Sequence, residues 1–325
     1  MRCSVVYGDV FARHDMEHHT ESGARLRTVL SGVPDGLKWR DPVRASVADL
    51  ERVHRPQHVR WIREFTSGTY YLDANTYVTG QSFDVASYAA GSASLAVDRS
   101  LDGEHCFALV RPPGHHAEAD RAMGFCIFNN AAVAAARALE SVDRVAILDW
   151  DLHHGNGTQA IFYGSDRVLY CSVHEADSFP KTGWVDEVGA GRGRGYTLNA
   201  PLLPGSTIAD YLAVFRDVFI PAINRFRPDV LIVSAGQDPL FDDEHGRMLL
   251  VPSDFQVLTG LLIDEIDMPL SLVLEGGYGP SHGEAIRNIF GALQGRRTDL
   301  AGAETEPVRH ATDEIVSILK KVQFY

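Results

Sequence analysis

A chain of 325 residues with 45% hydrophobic and 22% charged residues has the make-up of a folded globular protein, and none of its apolar runs is long enough to cross a membrane. Its formal charge of -13 argues against nucleic acid as a partner and favours a cationic small molecule or a basic protein segment. Cys3, Cys106, Cys126 and Cys171 stand far apart without C-x-x-C spacing, which argues against a disulfide framework or a thiolate zinc site and predicts reduced thiols. No linker divides the sequence, so one domain over 1–325 is expected. Met1 to Val10 lacks the basic-then-apolar pattern of a signal peptide, and a soluble, cytoplasmic protein is expected.

Arg2 to Tyr7 offers a first short strand, and the following histidines, His14, His18 and His19, read as a loop. Arg25 opens a helical pattern through Leu26, Val29 and Leu30, at a place where an arginine ordinarily stays exposed. Asp49 to Phe65 carries Val53, Val59, Trp61 and Ile62 at helical spacing, with His54 as a packed or capping residue. Tyr70 to Val78 reads as irregular and aromatic, and Ser82 to Val97 as a close-packing, alanine-rich helix. Phe107 to Val110 is a core strand that runs into Arg111-Pro112-Pro113-Gly114-His115-His116. The prolines and glycine delay any helix and fix two adjacent imidazoles in irregular backbone, an arrangement suited to proton transfer. Gly124 to Asn130 leads into a second alanine-rich helix ending near Glu140.

Val145 to Leu148 reads as a strand buried on both faces, and Asp149, Asp151, His153 and His154 crowd its exit. Alternation along extended chain would let Asp149, Asp151 and His153 converge. Two carboxylates and an imidazole are costly to bury unless paired or coordinated, and that donor set suits zinc or a neighbouring divalent ion. A hydrogen-bonded Asp-His cluster capping a helix is the alternative, and whether Asp149 is itself a ligand stays open.

Val168 to Val173 is the next strand, ending at Ser172-Val173-His174, and Glu175 to Gly195 is a loop too long for a simple connection. Thr207 to Phe226 is an amphipathic helix, and Val230 to Val233 a strand that leads to Asp238. Ser253 and Gln256 have capping-box spacing for a helix to about Asp264. Leu270 to Leu274 opens into Glu275-Gly276-Gly277-Tyr278-Gly279, where the glycines allow the phenol to turn into a cleft. Ala311 to Tyr325 is a final helix with Ile315, Ile318 and Leu319 inward. Strands alternating with helices predict an α/β fold with a mostly parallel sheet covered on both faces, whose ligands bind beyond the carboxyl ends of the strands. The exits at His115-His116, Asp149 to His153, Asp238 and Tyr278 would then share one rim.

Taken together, R-P-P-G-H-H, G-F-C-I-F-N-N, D-W-D-L-H-H-G-N-G-T-Q, S-A-G-Q-D and L-E-G-G-Y, in this order between about Arg25 and Gly279, resemble the zinc-dependent deacetylase family of histone deacetylases and acetylpolyamine amidohydrolases. The resemblance implies the arginase-deacetylase fold, with Asp151, His153 and Asp238 as zinc ligands. It places Asp149 behind His115 and beside a potassium ion that would also involve Ser172, Val173 and backbone oxygens of Asp151 and His153. It implies His116 as general base and acid, Tyr278 as oxyanion donor, and His115 as a tuner of the local field. Asn156 stands behind His116 where some members carry aspartate, and a neutral partner raises imidazole basicity less than a carboxylate does. Gly124, Phe125 and Phe179 resemble the walls of an acyl-lysine channel, and Arg25 a family arginine near the acetate pocket. The implied substrate is an acylated lysine or polyamine, and a homo-oligomer is compatible with the resemblance.

The sequence also departs from the family. Gln237 replaces a residue that is hydrophobic in most members, and the loop from Pro239 to Arg247 differs. His245, with Glu244 adjacent, falls where one polyamine-selective subgroup carries glutamate, and Asp73 corresponds to a loop carboxylate that holds substrate backbone in other members. Two rival readings follow from the same residues. An arginase-like hydrolase with two manganese ions would need further aspartates near Asp238, and Asp242 and Asp243 lie far along a loop. A catalytically silent sensor of acylated ligands would not need the intact set of His115, His116 and Tyr278.

Overall fold

The apolar runs of the sequence assemble into one eight-stranded, wholly parallel sheet in the computed structural model, which describes residues 2–297 and 307–322. In chain order the strands are β1 (Arg2–Val6), β2 (Lys38–Arg40), β3 (Thr69–Tyr71), β4 (Tyr77–Thr79) and β5 (Glu104–Ala108). They continue as β6 (Val145–Asp149), β7 (Val168–Glu175), β8 (Thr197–Leu202), β9 (Val230–Ala235) and β10 (Leu270–Leu274). The sheet order is β2-β1-β5-β10-β9-β6-β7-β8, while β3 and β4 form a separate antiparallel hairpin.

Burial on both faces explains why β6 and β9 carry four consecutive apolar residues each, Val145–Leu148 and Val230–Val233, rather than apolar residues at alternate positions. In β6, Ala146 and Leu148 join the core on one side and Val145 and Ile147 the core on the other. The first side is covered by the helices of 208–226, 252–265 and 282–293, the second by Ser82–Leu101 and Asn130–Ala138. Small side chains permit the close approach on the second side, where Ala89, Ala93 and Ala96 are fully buried.

The structure corrects several boundaries. The helical pattern of Asp49 to Phe65 splits into Val47–Leu50 and Pro56–Glu64, because Pro56 ends one run and starts the next. The aromatic stretch read as irregular is the β3–β4 hairpin. Helix 208–226 passes through a π segment at Phe215–Phe219, just before Pro221, which has no N–H to give the ladder. Helix Pro252–Glu265 starts earlier than the Ser253–Gln256 spacing implied. Asp254 accepts the Val251 N–H at 2.8 Å and Pro252 occupies the first turn. In the last helix, His310–Leu319, Thr312, Val316 and Leu319 face inward and Ile318 is 44% exposed; residues 323–325 of the predicted tail helix lie outside the described residues.

Strand β8, strand β2 and helix His282–Leu293 were not legible in the pattern. The T-L-N-A-P-L run of β8 mixes polar residues with a proline, which only an edge strand tolerates, and β8 is the sheet edge. Among the described residues no helix is long and apolar enough to cross a membrane, and all four cysteines are free thiols.

Candidate active site

The topology puts β5, β10, β9 and β6 side by side, so four loops from distant parts of the sequence leave the sheet at one edge. The loop after β5 brings His115 and His116, β6 runs into Asp151 and His153, β9 into Asp238, and β10 into Tyr278. All six line one cavity of about 480 Å³.

At its floor, the ligand atoms of Asp151, His153 and Asp238 lie within 4.8 Å of one another. His153 Nδ1 stands 3.0 Å from Asp238 Oδ2 and 3.3 Å from Asp151 Oδ1. Backbone donors fix both carboxylates, Leu152 N–H giving to Asp238 Oδ1 at 2.9 Å and Gly276 N–H to Asp151 Oδ2 at 2.7 Å. Gly236 and Gly276 have to be glycine here, since a Cβ on either would overlap the Asp151 or Asp238 carboxylate. Burial opposes charge on His153, but its bonds to Asp151 and Asp238 outweigh that and push it up to about 10. Burial and the neighbouring Asp151 raise Asp238 to about 6. One ring nitrogen carries at most one proton for two converging carboxylates, so nitrogen and oxygen donors fit a single divalent cation better than they satisfy one another.

The adjacent histidines are held differently. His115 Nδ1 lies 3.1 Å from Asp149 Oδ2, which also accepts the Tyr170 hydroxyl at 3.1 Å, while Asp149 Oδ1 takes the Asp151 N–H at 3.2 Å. Burial disfavours charge on His115, yet Asp151 and Asp149 raise it well above the usual range. His116 Nδ1 instead faces Asn156 Oδ1 at 2.8 Å, and Asn156 donates to Glu118 Oε1 at 2.8 Å. Burial, reinforced by His115 and His153, holds His116 well below the usual range, so it is neutral with Nδ1–H donating and Nε2 free to accept.

Tyr278 completes the floor. Its hydroxyl is buried without a partner among the described residues, and its backbone N–H donates to Asp243 Oδ2 at 2.6 Å. Arg25 does not line this cavity. Contrary to the expectation of a solvated arginine, it is 6% exposed, with its guanidinium 4.5 Å from the Tyr278 ring centroid. It donates to the Gly277 and Glu275 carbonyls and to Glu21 Oε2, the first of these at 2.8 Å. Those bonds hold it behind the phenol, and burial was affordable only because Glu21 supplies the countercharge.

Gly124, Phe125 and Phe179 line the walls. The Phe179 ring stands edge-on to His116 at 5.0 Å between centroids, and Phe125 edge-on to Tyr278 at 5.7 Å. Asp73 and His245 line the upper part, whereas Glu244 borders a separate cavity of about 320 Å³ behind Tyr278. Asp73 is already engaged, accepting from Asn75 N–H, Thr76 N–H, Thr76 Oγ1 and Gly124 N–H. Asp149 and Ser172 are register partners across β6 and β7, Ser172 Oγ lies 2.9 Å from His174 Nδ1, and the Val173 side chain is in the apolar core.

Reading the sequence missed the roles of four carboxylates, Glu275, Asp243, Asp242 and Glu21. Glu275 accepts from Gly114 N–H at 2.6 Å and His115 N–H at 3.2 Å, tying β10 to the histidine loop, and burial pushes it up to about 7. Asp243 accepts from Tyr278 and Gly279 N–H and faces His245 Nδ1 at 3.0 Å; Asp242 accepts from Ser281. Both aspartates of that loop are thus committed to the Tyr278 turn. Glu21 joins Arg25 to Arg111, whose Nε donates at 2.6 Å. An acidic residue directly after an apolar strand was a usable signal for Glu275, and the i,i+4 spacing of Glu21 and Arg25 was one for that pair; the bonds of Glu21 to Arg111 and of Asp243 to the Tyr278 turn join residues remote in sequence.

A profile of the histone deacetylase domain matches residues 18–293. A probable deacetylase from Methanothermobacter thermautotrophicus is 36% identical over 327 aligned positions, covering 98% of this chain and 96% of that protein. A histone deacetylase-like amidohydrolase from Pseudomonas aeruginosa is 39% identical over 274 positions, covering 81% of this chain and 72% of that protein. The crystal structure of an HDA15 HD domain superposes with a TM-score of 0.92 at 31% identity, over 99% of this chain and 94% of that one.

Proposed function

The chain belongs to the histone deacetylase family, and from this premise we propose that it is a zinc-dependent amidohydrolase that removes an acetyl or other short acyl group from an acyl-lysine or acylpolyamine nitrogen. The observation that carries the reading is the Tyr278 hydroxyl, buried without a partner among the described residues, in one cavity with His116 and the Asp151-His153-Asp238 cluster.

Asp151, His153 and Asp238 would hold the zinc, leaving the cavity side open. Bound there, zinc supplies Lewis acidity that polarises an amide carbonyl and acidifies water. His116 takes the proton of the attacking water at Nε2, because its Nδ1–H is committed to Asn156. It then returns that proton to the amine nitrogen as the C–N bond breaks. The Tyr278 hydroxyl, with no competing partner, donates to the oxygen that becomes negative in the tetrahedral state. Arg25 behind the ring and Asp243 at the backbone keep the phenol in place. Phe125, Phe179 and Gly124 give a narrow apolar passage for the methylene chain of the acylated amine. The all-oxygen set of Asp149, Ser172 and the carbonyls of Asp151, His153 and Val173 suits potassium, which would offset the buried Asp149 charge.

The test is turnover by the purified protein of acetyl-lysine peptides, acetylated polyamines and longer acyl analogues, with and without a chelator. Release of free amine that is lost with the chelator and restored by zinc is expected. No release from any member of the panel would end the proposal and favour a ligand-binding protein without catalysis.

A further inference from the structure

A second depression of about 250 Å³ adjoins the cavity mouth and shares Leu72, Arg121 and Ala122 with it. Its own walls are Trp61, from helix Pro56–Glu64, and Tyr70, from β3. These two rings meet edge-on at 6.4 Å between centroids, and they stay 45% and 54% exposed. Large aromatics left half-bare beside a substrate channel mark contact with something larger than the group in the channel.

The charges around the depression are already matched. Asp120 pairs with Arg55 at 3.4 Å and Arg121 with Glu118 at 3.2 Å. Asp73, which lines the reaction cavity next to the shared Leu72, has its carboxylate occupied by four donors. A polycation would find no unpaired carboxylate among these three groups, whereas an apolar side chain would find two ring surfaces and Leu72. The volume suits one large side chain, and its place beside the mouth is where the residue next to a lysine in the channel would fall.

We propose that the Trp61–Tyr70 groove seats an apolar or aromatic side chain flanking the acylated lysine of a polypeptide, so that the substrate class is acylated protein or peptide rather than acylpolyamine. This rests on the amidohydrolase reading above and extends it to the substrate. The groove is continuous with the reaction cavity but contributes no group to the chemistry.

The experiment compares kcat/KM for acetyl-lysine pentapeptides carrying Phe, Leu or Gly immediately before or after the lysine, with acetylspermidine and a small acetyl-lysine reporter alongside. In the unaltered protein, Phe or Leu on one side should raise kcat/KM about tenfold over Gly. Trp61→Ala and Tyr70→Ala should each remove most of that gain while the reporter is turned over as before. Equal rates for Phe, Leu and Gly peptides would overturn the assignment, as would a loss confined to acetylspermidine in Trp61→Ala. Conversion of a dimer to a monomer by Trp61→Ala, with flank preference unchanged, would give the groove to a second copy of the chain instead. Turnover of the reporter without any flank effect removes the groove assignment alone. Silence on every substrate removes the amidohydrolase reading and the groove assignment with it.

Discussion

The floor and the mouth of the cavity are built on different principles. At the floor, Asp149, Asp151, Asp238 and Glu275 are all at most 1% exposed, and each accepts at least one backbone N–H or side-chain donor from another strand or its exit. At the mouth, Trp61, Tyr70 and Phe179 sit on a short helix, a hairpin and a long loop, and all are more than 40% exposed. Buried charge tolerates one geometry, since a displaced carboxylate loses its donors and cannot recover them from water. Exposed rings on loops can be replaced at little cost to folding. Under the proposed function, chemistry is fixed by the strands, and selectivity is left to elements that can change independently.

The sharpest way to break this contrast is at the floor. Asp238→Asn should abolish bound zinc and lower turnover by roughly a thousandfold or more, with the fold retained by circular dichroism. Metal content measured by mass spectrometry at the unaltered level would contradict the ligand assignment. Glu21→Gln removes the countercharge shared by the buried Arg25 and Arg111, and should cost about 3–5 kcal/mol in urea unfolding. A change under about 1 kcal/mol would mean that the two guanidiniums find other partners.

Tyr278→Phe deletes one hydroxyl that makes no hydrogen bond among the described residues. It should lower kcat about 10²- to 10³-fold with KM little altered and stability unchanged, and steady-state kinetics would reveal a different partition. His54 tests a buried group away from the reaction. Its Nδ1–H gives to the Glu118 carbonyl while Nε2 accepts the Asn129 N–H, and burial, with His58 nearby, lowers it to about 3. The unfolded chain binds a proton that the folded one refuses, so this contribution is present above about pH 6.5 and is lost as pH falls from there toward 3. Unfolding midpoints between pH 7.5 and 5 should fall with acid, less steeply in His54→Gln. The smallest effect belongs to the mouth, where Tyr70→Ala should change stability by about 0.5 kcal/mol or less in the same unfolding assay.

Much of the floor could be read along the chain. Apolar runs at 107–110, 145–148, 230–233 and 270–274 announced central strands, and each was followed by the polar residues that meet at the cavity. Arg25 was the informative exception. Local pattern gives an arginine at a helix start as solvated, and only the packing of Glu21 and the Gly277 carbonyl against it explains its burial. The inward face of the last helix was misjudged for a similar reason, since Ile318 and Val316 are equally apolar and only the position of the sheet chooses between them.

What the sequence by itself determined is the set of donors and the strands that carry them, because hydrophobic run length and residue chemistry are local properties. The tertiary structure alone decided the sheet order that makes β5, β10, β9 and β6 neighbours, and the long-range bonds of Glu275 to the histidine loop, Asp243 to the Tyr278 turn and Glu21 to Arg111. A buried carboxylate must find its donors wherever the fold brings them, and no spacing along the chain encodes which remote N–H or guanidinium that will be.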